Sequence, residues 1–241
     1  MMKAGFLCLV LCAAVAPSAH AQMTWTDKAF VNITGGAQAG SHTVATSATF
    51  DLYDEQGTLS SSQKVGSGGL FDLSGGYKVR KNLAAGIGYS WSGSKADASI
   101  TALVPHPIFT DQPRNVSGSV ADLKHTENTI HLFAAWMVPV TDKIDVGISA
   151  GPSIFIVSQD LPTALTVTEP GPTVNQITTD KSSKTTVGIN IGFDVAYMLN
   201  KRWGVGGLAR YTWGSVDLKN ASDKLTVGGF QIGAGLRLRL Q

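Results

Sequence analysis

Apolar residues alternate with small or polar residues along much of this 241-residue chain, most clearly in residues 186–199. In that segment, TVGINIGFDVAYML, every second side chain is apolar, and those between are Thr, Gly, Asn, Asp and Ala as far as Ala196. A repeat of two places the apolar side chains on one face of a β-strand. Similar repeats recur through most of the chain and helical repeats are nearly absent, so the sequence predicts an all-β fold.

The first 21 residues have the three parts of a secretory signal peptide. Lys3 precedes an apolar run that ends at Ala16, and the small residues Ala19 and Ala21 mark a cleavage site. We therefore predict a signal peptide over residues 1–21, cleaved after Ala21, and one exported domain over residues 22–241. Both cysteines lie in the predicted leader, so we expect no disulfide and no thiol nucleophile in the mature chain.

The connections between the predicted strands are of two kinds. Short charged turns lie at residues 78–83, 139–144 and 199–204, whereas residues 98–127 and 158–184 are long and polar. Short turns at one end and long loops at the other are typical of outer-membrane β-barrels. Seven strands are counted back from the C-terminus, at 65–79, 82–99, 127–140, 143–158, 183–199, 203–218 and 225–240. The eighth is assigned to residues 28–53, read as one long or interrupted strand, with the first outer loop at residues 54–64. Reading residues 28–53 as two strands would give nine strands in all.

The alternation alone fits either a soluble barrel or a barrel in lipid, and the chemistry of the second face favours lipid. In mid-strand, charged residues lie opposite the apolar face, among residues that are mainly Gly, Ser and Asn. The interior of an eight-stranded barrel is narrow, which suits small side chains and a few opposite charges. We expect Asp194 and Arg210 to form an ion pair there. The predicted lumen charge cluster is Asp72, Asp194, Arg210, Arg237 and Arg239.

Two further features of the strands are typical of outer-membrane barrels. Aromatic residues near strand ends predict girdles at the two lipid–water interfaces. They are Tyr77, Tyr197 and Trp203 beside the short turns, and Trp91 and Trp213 toward the long loops. The last strand is similar to the outer-membrane assembly signal. The matching positions are Gln231, Gly233, Leu236 and Leu238, followed by Leu240 and Gln241 where an aromatic end is usual.

Two hairpin segments carry a family resemblance, GGLFDLSGGYKVRKNLAAGIGYSW and GFDVAYMLNKRWGVGGLARYTWGSVDL. Together with residues 24–240 as a whole, they resemble the small eight-stranded outer-membrane barrels of the OmpA, OmpX and OmpW type. The resemblance is architectural and has no invariant motif. It implies a closed, antiparallel, up-and-down transmembrane β-barrel in the bacterial outer membrane. The implied partners are outer-membrane lipid, lipopolysaccharide and the outer-membrane assembly machinery.

The composition and the scattered polar residues exclude several functions. Charged residues make up only 15% of the chain and the formal net charge is +2, so no nucleic-acid partner is expected. The remaining histidines (His42, His106, His125 and His131) lack metal-ligand spacing. We predict no metal, no cofactor and no enzymatic activity. The expected role is structural, with residues 98–127 and 158–184 contacting an extracellular ligand. The alternative is a narrow pore, or a transport barrel for small solutes or apolar molecules.

Overall fold

A computed structural model describes residues 24–40, 42–109, 111–218 and 224–241, and the predicted signal peptide lies outside them. Within this part of the chain, no helix is long and apolar enough to cross a membrane. The described residues form ten β-strands. They are β1 (Ala29–Ala39), β2 (His42–Leu52), β3 (Glu55–Val65), β4 (Gly68–Arg80), β5 (Leu83–Val104), β6 (Arg114–Pro139), β7 (Ile144–Thr168), β8 (Thr173–Met198), β9 (Trp203–Val216) and β10 (Leu225–Leu240).

Eight of these strands close into a ring. Strands β4 to β10 pair with their sequence neighbours, and β1 joins the ring by pairing with both β4 and β10. At the β1–β10 seam the backbones approach so closely that a Cβ on Gly235 would lie 1.9 Å from the carbonyl oxygen of Ile33. The prediction of a closed antiparallel barrel of eight strands is confirmed.

Tight turns connect β4 to β5, β6 to β7 and β8 to β9, as the charged segments predicted. The chain enters at the same end, where Lys28 donates its backbone N–H to the carbonyl oxygen of Leu240 (2.8 Å). Short turns of outer-membrane barrels lie on the periplasmic side. We therefore call this end of the ring the periplasmic end and the other the outer end.

The first part of the chain differs from the expected single strand and loop. Residues 28–53 contain two strands, β1 and β2, with Gly40 between them. The chain then turns at Tyr53 and Asp54, both with positive φ, and returns as β3. Residues 54–64, predicted as an outer loop, are thus mostly strand, and that expectation was wrong.

The prediction of two long loops, at residues 98–127 and 158–184, was also wrong. Strands β5 to β8 are between 22 and 26 residues long, and only residues 105–113 and 169–172 connect them at the outer end. The alternation of side chains continues through these segments, with Ser and Thr at outward positions and apolar residues at inward ones. Because Ser and Thr are polar, the segments resemble loops in the sequence. Threonine is also a favourable strand residue.

Beyond the ring, the strands separate into two sheets that pack face to face. One sheet contains β2, β3 and the outer parts of β5 and β6, and the other contains the outer parts of β7 and β8. The ladder between β6 and β7 reaches outward only to His125 and Gln159. We call residues 42–65, 96–124 and 160–183 the outer extension. Its buried apolar core includes Phe50, Leu59, Ile100, Val116 and Leu165.

Candidate functional site: a closed lumen and an outer extension

An aromatic side chain closes the periplasmic end of the lumen. The segment before β1 folds across the opening and places Trp25, which is 2% exposed, against Phe30, Ala135 and Met137. The backbone N–H of Trp25 donates to Oδ1 of Asn82 in the β4–β5 turn (3.0 Å). The periplasmic mouth is therefore a bowl with an apolar floor.

Ion pairs fill the middle of the ring. Arg237 donates from Nη2 and Nε to the two carboxylate oxygens of Asp194, at 2.6 and 3.0 Å. Arg210 pairs with Asp72, and both side chains are nearly fully buried. The Nε of Arg239 lies 3.6 Å from Oδ2 of Asp145. Buried charges are tolerated inside a protein when each has an opposite partner.

All five residues of the predicted lumen cluster lie on the inward face, but the predicted pair between Asp194 and Arg210 was wrong. In the β8–β9 ladder Asp194 lies opposite Leu208, and Arg210 lies opposite Gly192. Arg210 reaches across the lumen to β4, whereas Asp194 is met by Arg237 from β10, two strands away. Tilted strands bring together side chains that are distant along the ladder. Sequence reasoning also missed Asp145, although it lies on the polar phase between Ile144 and Val146.

A chain of hydrogen bonds continues from Arg210 toward the outer end. Its Nε donates to Oε1 of Gln231 (2.8 Å), and Nε2 of Gln231 donates to Oε1 of Gln38 (2.8 Å). The Nε2 of Gln38 then donates to Oε2 of Glu127 (3.0 Å). Glu127 is 2% exposed and also accepts the backbone N–H of Gly228 (3.0 Å). These bonds satisfy the buried carboxylate and amides in the upper lumen.

The same chain ends at His125 and Gln159, where the lumen meets the outer extension. Nε2 of His125 lies 3.0 Å from Oε1 of Glu127, and its Nδ1 lies 2.6 Å from Oε1 of Gln159. The Gln159 amide is oriented by its own donation to Oε1 of Gln63 (2.8 Å). Both ring nitrogens of His125 thus face oxygen atoms, one of the Glu127 carboxylate and one of the Gln159 side-chain amide. This network was not predicted. The sequence indicates only that its glutamines lie at inward positions of their strands.

The structure also places the other predicted site residues. The five girdle aromatics all point outward and are exposed, three near the periplasmic turns and two toward the outer end of the ring. Gln231 of the assembly signal points into the lumen, whereas Leu236 and Leu240 are exposed on the outside. Their roles at the lipid interface and in assembly stay predictions. Among the described residues, no group of three or more His, Asp or Glu side chains could hold a metal ion.

A salt bridge ties the two sheets of the outer extension together at its tip. Arg114 at the start of β6 donates to both carboxylate oxygens of Glu169, at 2.8 and 2.6 Å. The hydroxyl of Tyr53 donates to the same carboxylate (3.2 Å). The hydrogen bonds from Arg114 hold the pKa of Glu169 below its usual value. We call Tyr53, Arg114 and Glu169 the tip clamp.

We expect acid to open the tip clamp. Because the folded pKa of Glu169 lies below its ordinary value of 4.5, its stabilising contribution is present above that value and is lost as the pH falls through the folded pKa. Limited proteolysis should therefore cut the outer extension faster at about pH 3 than at neutral pH. The variant Glu169→Gln should lose this dependence, and a wild-type cleavage rate that does not change with pH would contradict the expectation.

Comparison with known proteins assigns the family. Residues 5–237 match the family model described as outer membrane protein beta-barrel domain. The chain belongs to the outer-membrane β-barrel family. It is thus a β-barrel protein of the bacterial outer membrane. A search of curated protein sequences gave no match.

Several solved outer-membrane barrels are similar in fold. Neisserial surface protein A is 14% identical, with a TM-score of 0.46 over 88% of this chain and 97% of that one. OprG from Pseudomonas aeruginosa is 14% identical, with a TM-score of 0.42 over 89% and 97%. Ail from Yersinia pestis is 10% identical, with a TM-score of 0.38 over 87% and 99%. The assignment of this outer-membrane barrel to its family rests on the match to the family model.

Proposed function

We propose that this outer-membrane barrel is closed and acts by presenting its outer extension to the surroundings of the cell. The observation that carries the proposal is the filled lumen, which contains Trp25, three ion pairs and the chain of hydrogen bonds. The cavity beside Asp72 and Arg210 has a volume of about 40 Å³, room for a few water molecules at most. A barrel filled in this way offers its outer surface, rather than its interior, for function.

The outer extension has the rigidity that a contact surface needs. Its apolar core and the tip clamp hold two sheets together outside the membrane. At the outermost turn, Ile108 and Phe109 are 78% and 55% exposed. Their backbone N–H groups both donate to Nδ1 of His106 (3.1 Å each), which fixes the turn. Exposed apolar side chains in a fixed conformation favour contact with a partner at a low entropic cost.

We infer a role without catalysis. His131 contacts the hydroxyls of Ser90 (2.9 Å) and Ser153 (2.8 Å), a pairing that resembles a nucleophile and its base. All three side chains are almost completely buried in the lumen, where a substrate has no access. We therefore infer that Ser90, His131 and Ser153 help to fill the lumen of the barrel.

A second candidate is the passage of a small or apolar molecule through the wall, and one observation favours it. Strand β5 pairs with β4 as far as Gly93, opposite Gly69, and with β3 from Ala98, opposite Gln63. Between these two ladders, residues 64–68 and 94–97 do not pair with each other, which leaves a gap in the wall. The cavity beside this gap has a volume of about 20 Å³, enough for one water molecule. The closed barrel is therefore the better supported of the two.

Electrical recording in planar bilayers tests the closed lumen. We expect no steady conductance from the unmodified protein, because the ion pairs occupy the lumen. The double variant Asp72→Ala, Arg210→Ala removes both charges of one pair together and should admit water and small ions. Arg202→Ala, in a periplasmic turn, is the matched control and should stay closed. Steady conductance through the unmodified protein would refute the proposal.

We further propose that the leader is cleaved after Ala21 and that the barrel is inserted by the outer-membrane assembly machinery. The predicted lipid and lipopolysaccharide partners are supported by the exposed apolar belt and its girdle aromatics. Mass spectrometry of the protein from outer-membrane fractions should give an N-terminus at Gln22. Recovery of the uncleaved chain there would contradict the proposed cleavage.

A further inference from the structure

The outward face of the four-stranded sheet in the outer extension is an array of small hydroxyl side chains. One residue from each strand contributes to each row, and directly opposed residues form the rows. The first row contains Ser47, Ser60, Thr101 and Ser117. The second row contains Ala45, Ser62, Ser99 and Ser119. All seven hydroxyl residues are exposed. The next row toward the tip contains Thr49, Thr58, Leu103 and Asn115, also exposed, so the face is uncharged and without aromatic side chains.

Charged residues lie at the two ends of this hydroxyl face. Its foot, next to the membrane, has three lysines against two aspartates. Because Lys95 is paired with Asp122 (3.3 Å), an excess of one positive charge remains there. The foot residues are Lys64, Lys95, Lys124, Asp97 and Asp122. Its tip is acidic, since Arg114 there is already paired with Glu169. The acidic residues around the tip include Asp51, Asp54 and Asp111. The face therefore runs from a cationic foot to an acidic tip.

We propose that the hydroxyl face binds the same face of a second copy of this chain, carried by an apposed membrane. A hydroxyl group can both donate and accept, so identical hydroxyl faces are complementary to each other. The centre of this face has no charged residue that would repel an identical face. Two copies from facing membranes meet antiparallel, which sets the acidic tip of each against the cationic foot of the other. The inference rests on the proposed function, because it needs the outer extension to stand clear of the membrane.

The same features disfavour contact between copies in one membrane. Neighbours in one membrane are parallel, so cationic foot would meet cationic foot and acidic tip would meet acidic tip. Just below the foot, Phe71 and Trp91 are exposed on the outside of the ring at 44% and 42%. These large side chains would touch a neighbouring barrel before the short serine side chains could. The hydroxyl face is therefore accessible chiefly to a copy on an opposing surface.

The size of the face predicts a weak contact that depends on many copies. Four strands spaced by about 4.8 Å give a width of roughly 14 Å, well below the size of a stable protein interface. Many such contacts between two surfaces act together through avidity. Clustering of membranes that carry the protein at high density is thus the expected readout.

The test uses the full protein reconstituted in phosphatidylcholine vesicles, with clustering followed by light scattering. Unmodified vesicles should cluster. Thr101→Lys and Thr101→Asp each place a like charge at the centre of both faces, so each variant alone should lose clustering. Mixing Lys vesicles with Asp vesicles should restore it, since the two charges then attract. Thr178→Lys, on an exposed position of the other sheet, is the matched control and should cluster like the unmodified protein.

Other outcomes overturn the inference. If the mixture fails to cluster while each variant still migrates as a folded, heat-modifiable barrel, the face has a different partner. If unmodified vesicles remain dispersed, the self-association is refuted. In that case the absence of conductance would still support a closed barrel that presents its extension. Steady conductance, in contrast, would refute the proposed function and leave the clustering result to stand by itself.

Discussion

Replacing Arg237 with alanine should lower the free energy of unfolding by about 3–5 kcal/mol, the usual effect of breaking a buried ion pair. Arg237 is fully buried and donates to Asp194 at 2.6 and 3.0 Å and to Oγ1 of Thr34 at 3.1 Å. Without it, the Asp194 carboxylate is left inside the barrel with no directly bonded cation. Urea unfolding of the protein in lipid vesicles, followed by tryptophan fluorescence, measures the loss.

A double variant separates the buried charge from the missing contacts. Arg237→Ala combined with Asp194→Ala removes both charges, so it should be less destabilising than Arg237→Ala alone. Arg202→Ala, in an exposed periplasmic turn, should change the free energy of unfolding by less than about 0.5 kcal/mol. Equal losses in the single and double variants would show that the pair is not the source of the stability.

Replacing Leu59 with alanine should destabilise the outer extension by about 2–5 kcal/mol, while the ring stays closed. Leu59 is fully buried between the two sheets, in the same core as Phe50 and Leu165. The cavity left by the missing side chain lies outside the ring, so the effect should be local. We expect proteases to cut the extension faster, and the heat-modifiable migration of the barrel to be unchanged.

Ser60→Ala is the matched control, since Ser60 neighbours Leu59 but points outward. It should leave the rate of proteolysis unchanged. If Leu59→Ala instead abolished the heat-modifiable migration, the extension and the ring would form one cooperative unit. That result would contradict a separately stabilised extension.

The alternation of side chains was sufficient to predict the ring, because each strand shows its inward and outward faces by itself. Val187, Ile189 and Ile191 are exposed on the outside of the ring, while Asn190 between them is buried in the lumen. Outside the membrane the same alternation was hidden. There the outward residues are Ser and Thr, as in Ser99 and Thr101, and these residues are equally common in loops.

The partners within the lumen could not be predicted from the same pattern. The alternation of apolar and polar residues shows that Asp194 and Arg210 point inward. Their partners, however, depend on the tilt of the strands and on how far each side chain reaches across the barrel. Asp72 and Arg210 are 138 positions apart in the chain and meet only because the ring closes. The hydrogen bonds of Gln38 and Gln231 could not be predicted for the same reason, since the partners of a side-chain amide depend on which residues surround it in the fold.

The ladder between β1 and β10 has a kinetic consequence. It joins Ala29 to Leu240, so the ring cannot close until nearly the whole chain has been delivered to the membrane. Contacts between residues so far apart in sequence form slowly, because their loop-closure entropy is lost before the contacts are made. Until then β1 and β10 are open edges able to pair with foreign strands. The slowest step in the folding of this protein should therefore be the pairing of β1 with β10. Chaperones that shield the two edges should speed its folding.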